Sequence, residues 1–323
     1  METNRTIHKQ PVSSYYVIII FILSLLIGYR PIEFGTDWSS YKEIYDNSLP
    51  TDILLYITGL LFSSYVNFEL FFSVITFIAM YSYVYSLTAL GTTGGTRFFS
   101  FLVFFSLHIS GQWRTGIALA LILYFIRKKY PLMLSALIAG FMHSVGFIIS
   151  LFALFKVNKL FILSSFLFFF ILFTYLVPLI DPNLFESIGR RRFFLAMIDP
   201  LHPDVDAKLA YLHRSIWSLN NIRLYYILII LSILFTIKEK NSLIKLLIAG
   251  NSGYLILGFD ASFAQKCMSF VTPITILAAK SIENKNLRLI FYTLTISTGI
   301  LEVFRRFFAE KGINWENIEK LIY

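Results

Sequence analysis

Residues 108–126 read HISGQWRTGIALALILYFI, and the position of Arg114 in this stretch decides the architecture. Between Phe98 and Ile126 Arg114 is the only Lys, Arg, Asp or Glu. A single long helix through 97–126 would hold its guanidinium near the middle of a bilayer, which costs roughly 2.5–3.5 kcal/mol even on a lenient insertion scale. Two short helices reversing near Arg114 avoid that cost, because broken backbone is tolerated where it lines protein or a water-filled cavity. The stretch 131–155 poses the same question at His143, in FMHS at 141–144.

The basic clusters answer it. Cytoplasmic loops carry the excess of Lys and Arg. Five clusters occur: Arg5 with Lys9, Arg127 to Lys129, Lys156 with Lys159, Lys238 with Lys240, and Lys280 with Lys285. All can be cytoplasmic only if an even number of crossings separates each pair, so 97–126 and 131–155 are each expected to be a broken hairpin. Further spans are expected near 15–29, 67–90, 158–180, 222–237, 242–258, 264–280 and 288–304. The run 53–66 is too short to span and reads as an interfacial segment.

Composition supports a low-dielectric surrounding. The chain of 323 residues is 57% hydrophobic and only 15% charged, against about 25% charged in soluble domains, and its mean hydropathy is +0.69. The net charge of +9 sits in short clusters between apolar runs, so it marks topology and gives no footprint for nucleic acid. A lone Cys267 excludes an internal disulfide framework. The first apolar run ends in Gly28-Tyr29-Arg30 without a small-residue cleavage site, and reads as an uncleaved helix with a cytoplasmic N-terminus. The expectation is a single all-α integral membrane domain over 1–323, a polytopic helix bundle of roughly 9–12 membrane segments. Its outward loops fall at about 30–52 and 181–221, the first with five acids against two bases.

Chemistry is then sought among the few polar groups on the outward side. Asp37, in GTD at 35–37, is a candidate general base, or the cap of a helix from Trp38 to Tyr45; the two roles are compatible. Arg114 beside a helix start suits an anionic headgroup, against the plainer reading of an arginine that snorkels to water. His143 is a packed histidine, or a group that accepts a hydroxyl proton or holds a phosphate oxygen. Arg190, Arg191 and Arg192 form an anion clamp or a solvated ion-pair network with the acids of their loop. Asp260, Gln265 and Lys266 are a weaker signal, and Lys266 can be read as snorkelling. Walker-type loops, HExxH, CxxC and GxSxG are missing from the sequence, which argues against an ATP-driven pump, a zinc protease and a serine hydrolase. No metal site and no cofactor is expected.

A first helix ending in Arg30 with Gly35, Thr36, Asp37 and Tyr41, then Arg114 in GQWRTGIAL, then His143 in AGFMHSVGFI, in that order, resembles the EpsG/Wzy-like polysaccharide polymerases. The resemblance covers residues 28–150. The family often has Arg-Gln where Arg114-Thr115 stands, and an Arg before an aromatic where Gln265 and Lys266 stand. The resemblance implies a GT-C-like polymerase architecture in the bacterial inner membrane. The implied substrates are undecaprenyl-diphosphate-linked glycans, with membrane lipids and a chain-length regulator as further partners. It implies Asp37 or His143 as the base, Arg30, Arg114, Arg191 and Arg192 on the diphosphate, and Tyr41 on a sugar ring. Two rival readings remain open on the sequence: a transporter or flippase of lipid-linked glycan, and a glycosyltransferase using a polyprenyl-monophosphate sugar.

Overall fold

The computed structural model describes residues 12–30, 38–47, 53–90, 93–154, 159–172, 222–238, 241–258 and 261–310. Within these, every regular element is helical. The helices are α1 (Ser14–Gly28), α2 (Trp38–Asp46), α3 (Ile53–Phe62), α4 (Phe68–Ala89), α5 (Gly94–Phe104), α6 (Trp113–Arg127), α7 (Leu132–Gly140), α8 (Val145–Leu154) and α9 (Lys159–Ile171). Then come α10 (Ile222–Thr236), α11 (Ser242–Ile256), α12 (Ala261–Thr275) and α13 (Lys285–Glu310). A π-helical turn, Phe105–Ile109, follows α5, and a 3-10 turn, Ile276–Ser281, follows α12.

Both suspected stretches break where Arg114 and His143 call for it. The chain leaves the π turn, reverses through Ser110–Gln112 and enters α6; later it leaves α7, turns through 141–144 and enters α8. The second hairpin is very tight. A Cβ on Gly146 would collide with the backbone nitrogen of Gly140 and lie 2.7 Å from the Ala136 carbonyl oxygen, so glycine is needed for the two short helices to pack. The run 53–66 forms the ten-residue α3, short of a span as expected.

Two helices, Phe68–Thr88 and Lys285–Phe304, are long and apolar enough to cross a bilayer on their own; α1, α9, α10 and α11 are shorter apolar helices. The apolar surface is arranged for lipid. Ile18, Phe21, Ile22 and Leu26 of α1, Leu160 and Phe168 of α9, and Leu289 and Leu301 of α13 are exposed. In water such a surface would be strongly unfavourable. The centre belongs to α6 and α11, which present buried residues nearly all round; in α11 every position from Leu246 to Ile256 is buried.

Antiparallel traverses give the bundle two chemically different ends. Arg127 at the end of α6 hydrogen-bonds the Tyr85 carbonyl and the Thr88 hydroxyl at the end of α4. Lys159 stands over the Phe235 ring at 5.9 Å, and Lys238 pairs with Glu283 at 3.2 Å. The opposite end holds Arg30, Tyr41 and Arg114.

Candidate functional site

Trp113 fixes the start of α6. Its indole stacks on Phe72 with centroids 4.2 Å apart, and its Nε1 donates to the Thr76 hydroxyl at 2.9 Å. Both partners lie on α4, so α6 begins clamped against that helix and Arg114 follows in its first turn. Gln112 makes no side-chain cap; its Oε1 accepts from the Ser269 hydroxyl of α12 at 3.1 Å instead. The first turn of α6 thus keeps N–H groups uncapped by a side chain, beside a guanidinium. That combination favours an anion.

Gly116 sets how closely the preceding turn approaches. A Cβ there would stand 2.9 Å from the His108 Cβ, so only glycine lets α6 seat against the π turn. His108 is fully buried in that turn and meets Phe104 edge-on at 5.8 Å. π-helical turns inside α-helical runs are frequent at functional sites.

Arg30, just past α1, donates through Nη1 to the Ser110 carbonyl at 2.9 Å and lies 6.0 Å from the Phe72 ring. The reversal before Arg114 is therefore held by Arg30. Tyr41 of α2 is only 5% exposed. Its hydroxyl accepts from Arg114 Nε at 3.4 Å, the guanidinium carbon stands 5.4 Å from the ring centroid, and the ring packs on Trp113 at 5.8 Å. The helix that carries Tyr41 is anchored by Trp38 against Phe68, by Tyr45 stacked on Phe71 at 4.8 Å, and by the Lys42–Glu69 ion pair.

His143, in the turn between α7 and α8, belongs to the same neighbourhood. Lys266, Arg114 and His108 are the groups that act electrostatically on its imidazole. Its Nδ1 accepts from the Val145 N–H at 3.3 Å. A ring whose Nδ1 lone pair is so used carries its proton on Nε2; protonating Nδ1 as well would set two donors face to face.

Arg30, Tyr41, Arg114 and His143, named from the sequence, thus gather at one end of the bundle. Asp37, Arg191 and Arg192 lie outside the described residues, as do Asp260 and the loop 181–221. Lys266 reads differently in the structure. It belongs to the electrostatic neighbourhood of His143, which a snorkelling reading does not anticipate. Little in the sequence warns of this; the one signal is its place in a segment where the resembling family tends to carry a cation. His108 and the Gln112–Ser269 link were not foreseen. Among the described residues no group of three His, Cys, Asp or Glu side chains forms that could hold a metal ion.

These observations define a helical membrane protein that gathers two arginines, a histidine and a lysine at one bundle end, a set suited to anionic groups. The chain belongs to the EpsG family, whose model matches residues 13–316. EpsG is a family of Wzy-like polymerases, which ties this membrane protein to polysaccharide biosynthesis by a glycosyltransferase-like polymerase. No curated protein and no solved structure matches the chain.

Proposed function

We propose that the protein polymerises undecaprenyl-diphosphate-linked oligosaccharide repeat units at the outer face of a bacterial inner membrane, with its N-terminus in the cytoplasm. The observation that carries this reading is the convergence of Arg30, Arg114, His143 and Lys266 at the bundle end opposite Arg127 and Lys238. A diphosphate ester is a lipid-borne group that such a set of cations fits.

In the reaction, a hydroxyl at the non-reducing end of a new lipid-linked repeat unit attacks the anomeric carbon of the growing chain. The bond from that carbon to the diphosphate oxygen breaks, and undecaprenyl diphosphate departs with the electron pair. Arg114 stabilises the charge that develops on the leaving oxygen, aided by the first turn of α6 and by Arg30. Arg191 and Arg192 extend the clamp from the long outer loop. The hydroxyl proton goes to Asp37, which immediately precedes α2.

His143 is then a donor and not a base. With Nδ1 engaged by Val145, its Nε2–H is left to bond a phosphate oxygen. Tyr41 is nearly covered and engaged by Arg114, so its role is to aim that guanidinium, in place of stacking openly on a sugar.

The test is reconstitution. Purified protein given lipid-linked repeat units and no nucleotide sugar should produce longer lipid-linked glycans. Movement of single units across the bilayer without lengthening would make it a transporter and sink the proposal.

A further inference from the structure

At the end of the bundle away from the site, a cavity of about 240 Å³ opens between the start of α1, the end of α4 and the start of α5. Ser13, Tyr16, Leu87, Thr88, Arg97 and Phe101 line it. Its lining is amphiphilic: hydroxyls and one guanidinium against aliphatic and aromatic walls.

Arg97 is the unusual member. Its Nε is buried and has no hydrogen-bond partner among the described residues. A buried donor on a cation left unsatisfied is costly, and a ligand oxygen would remove that cost. Arg127, a second cation at this end of the bundle among the described residues, is already occupied. It donates to Thr88 Oγ1 at 3.0 Å and to the Tyr85 carbonyl, answering the carbonyl end of α4. Ser13 makes no side-chain cap of α1, α5 is capped only by the neutral hydroxyl of Thr93, and neither helix has an acid in its first turn. Neither helix N-terminus has its partial positive charge offset by a carboxylate of its own first turn. Guanidinium and helix ends act with the same sign.

The surroundings choose the source of the anion. The cavity is smaller than the roughly 300–1,000 Å³ of a pocket that swallows a whole small molecule. Beside Arg97 and Phe101 on α5, Phe98 and Leu102 are exposed at 60% and 43%, a surface on which an acyl chain can lie. Basic pockets between membrane helices at the cytoplasmic side hold lipid head groups in this way.

We infer that this cavity binds the phosphate of an anionic phospholipid, with Arg97 as its ligand and the acyl chains running along the outer face of α5. The site is separate from the one that handles the glycan, so it stands or falls independently of the polymerase reading.

The experiment is lipid retention by native mass spectrometry, with thermal-shift titration of the detergent-purified full chain. The probes are phosphatidylglycerol, phosphatidylcholine and inorganic phosphate. Wild type should retain phosphatidylglycerol and be stabilised by it, and Arg97→Gln should weaken that binding about tenfold. Lys128→Gln removes one charge from the same end of the bundle and should leave binding unchanged. Ser13→Trp, which fills the mouth while keeping Arg97, should also abolish retention, so the inference does not rest on one variant folding. Equal losses in Arg97→Gln and Lys128→Gln would reduce the effect to general surface charge and overturn it. Equal retention of phosphatidylcholine, or an equal shift from inorganic phosphate alone, would also overturn the anionic-lipid assignment.

Discussion

Arg114 donates from Nε to the Tyr41 hydroxyl at 3.4 Å while its guanidinium stands over the same ring at 5.4 Å. The bond spans 73 positions of sequence and joins the α2 segment that follows Asp37 to the first turn of α6. That phenol is one of the contacts that aim the cation.

Tyr41→Phe keeps the ring and removes the bond. At 3.4 Å the bond is long, so its loss should cost about 1 kcal/mol and lower the turnover of lipid-linked repeat units roughly fivefold. Arg114→Ala should reduce polymer yield further, and Arg114→Lys should not restore it, because an ammonium lacks the planar fork. Polymer length and yield in cells, resolved on gels, reads all three. Unchanged polymer in Arg114→Ala would remove Arg114 from the mechanism.

The division of labour between Asp37 and His143 has a mutational signature. If Asp37 takes the proton, Asp37→Asn should abolish polymer growth, because an amide cannot accept it. His143→Gln, which keeps an N–H donor, should retain more activity than His143→Ala. Polymer growth that survives in Asp37→Asn and is lost in His143→Gln would make the imidazole the base instead.

The α7–α8 hairpin should be intolerant of even one methyl group. Gly146→Ala sets a Cβ against the backbone of Gly140 and Ala136, atoms that cannot swing away, and overpacking of this kind costs about 1–3 kcal/mol. Gly94→Ala meets nothing within 4 Å and should be neutral or slightly stabilising. Thermal unfolding in detergent compares them directly; equal midpoints would contradict the packing described.

Ser269→Ala should loosen α12 from the reversal before Arg114 by removing its bond to Gln112. The expected loss is about 1 kcal/mol, with weaker substrate binding because Lys266 shares that helix. A KM unchanged from wild type would show that α12 is held by other contacts.

Much of the architecture was legible in the sequence. Apolar run lengths located α1, α4 and the helices from α10 onward, and the cost of a central Arg114 called for the two broken hairpins. Arg30, Tyr41, Arg114 and His143 stood out because ionisable and polar groups are scarce in such a chain. Lys266 stood out only weakly, since a lysine near a helix end reads the same whether it reaches for water or for His143. Arg97 was equally silent: its burial at Nε depends on α1 and α4 closing around it.

Local physics explains the difference. Transfer of side chains into lipid, the bias of Lys and Arg in loops and the penalty for a buried charge act residue by residue, so the sequence by itself determined a helical membrane protein, its breaks and its scarce polar groups. Which of those groups meet was decided only by tertiary packing. Trp113 stacked on Phe72, Gly116 seated on His108, and Ser269 bonded to Gln112 across 157 positions are contacts that join one helix or turn to another. No local preference specifies them, and such contacts alone bring Arg30, Arg114, His143 and Lys266 to one end of the bundle.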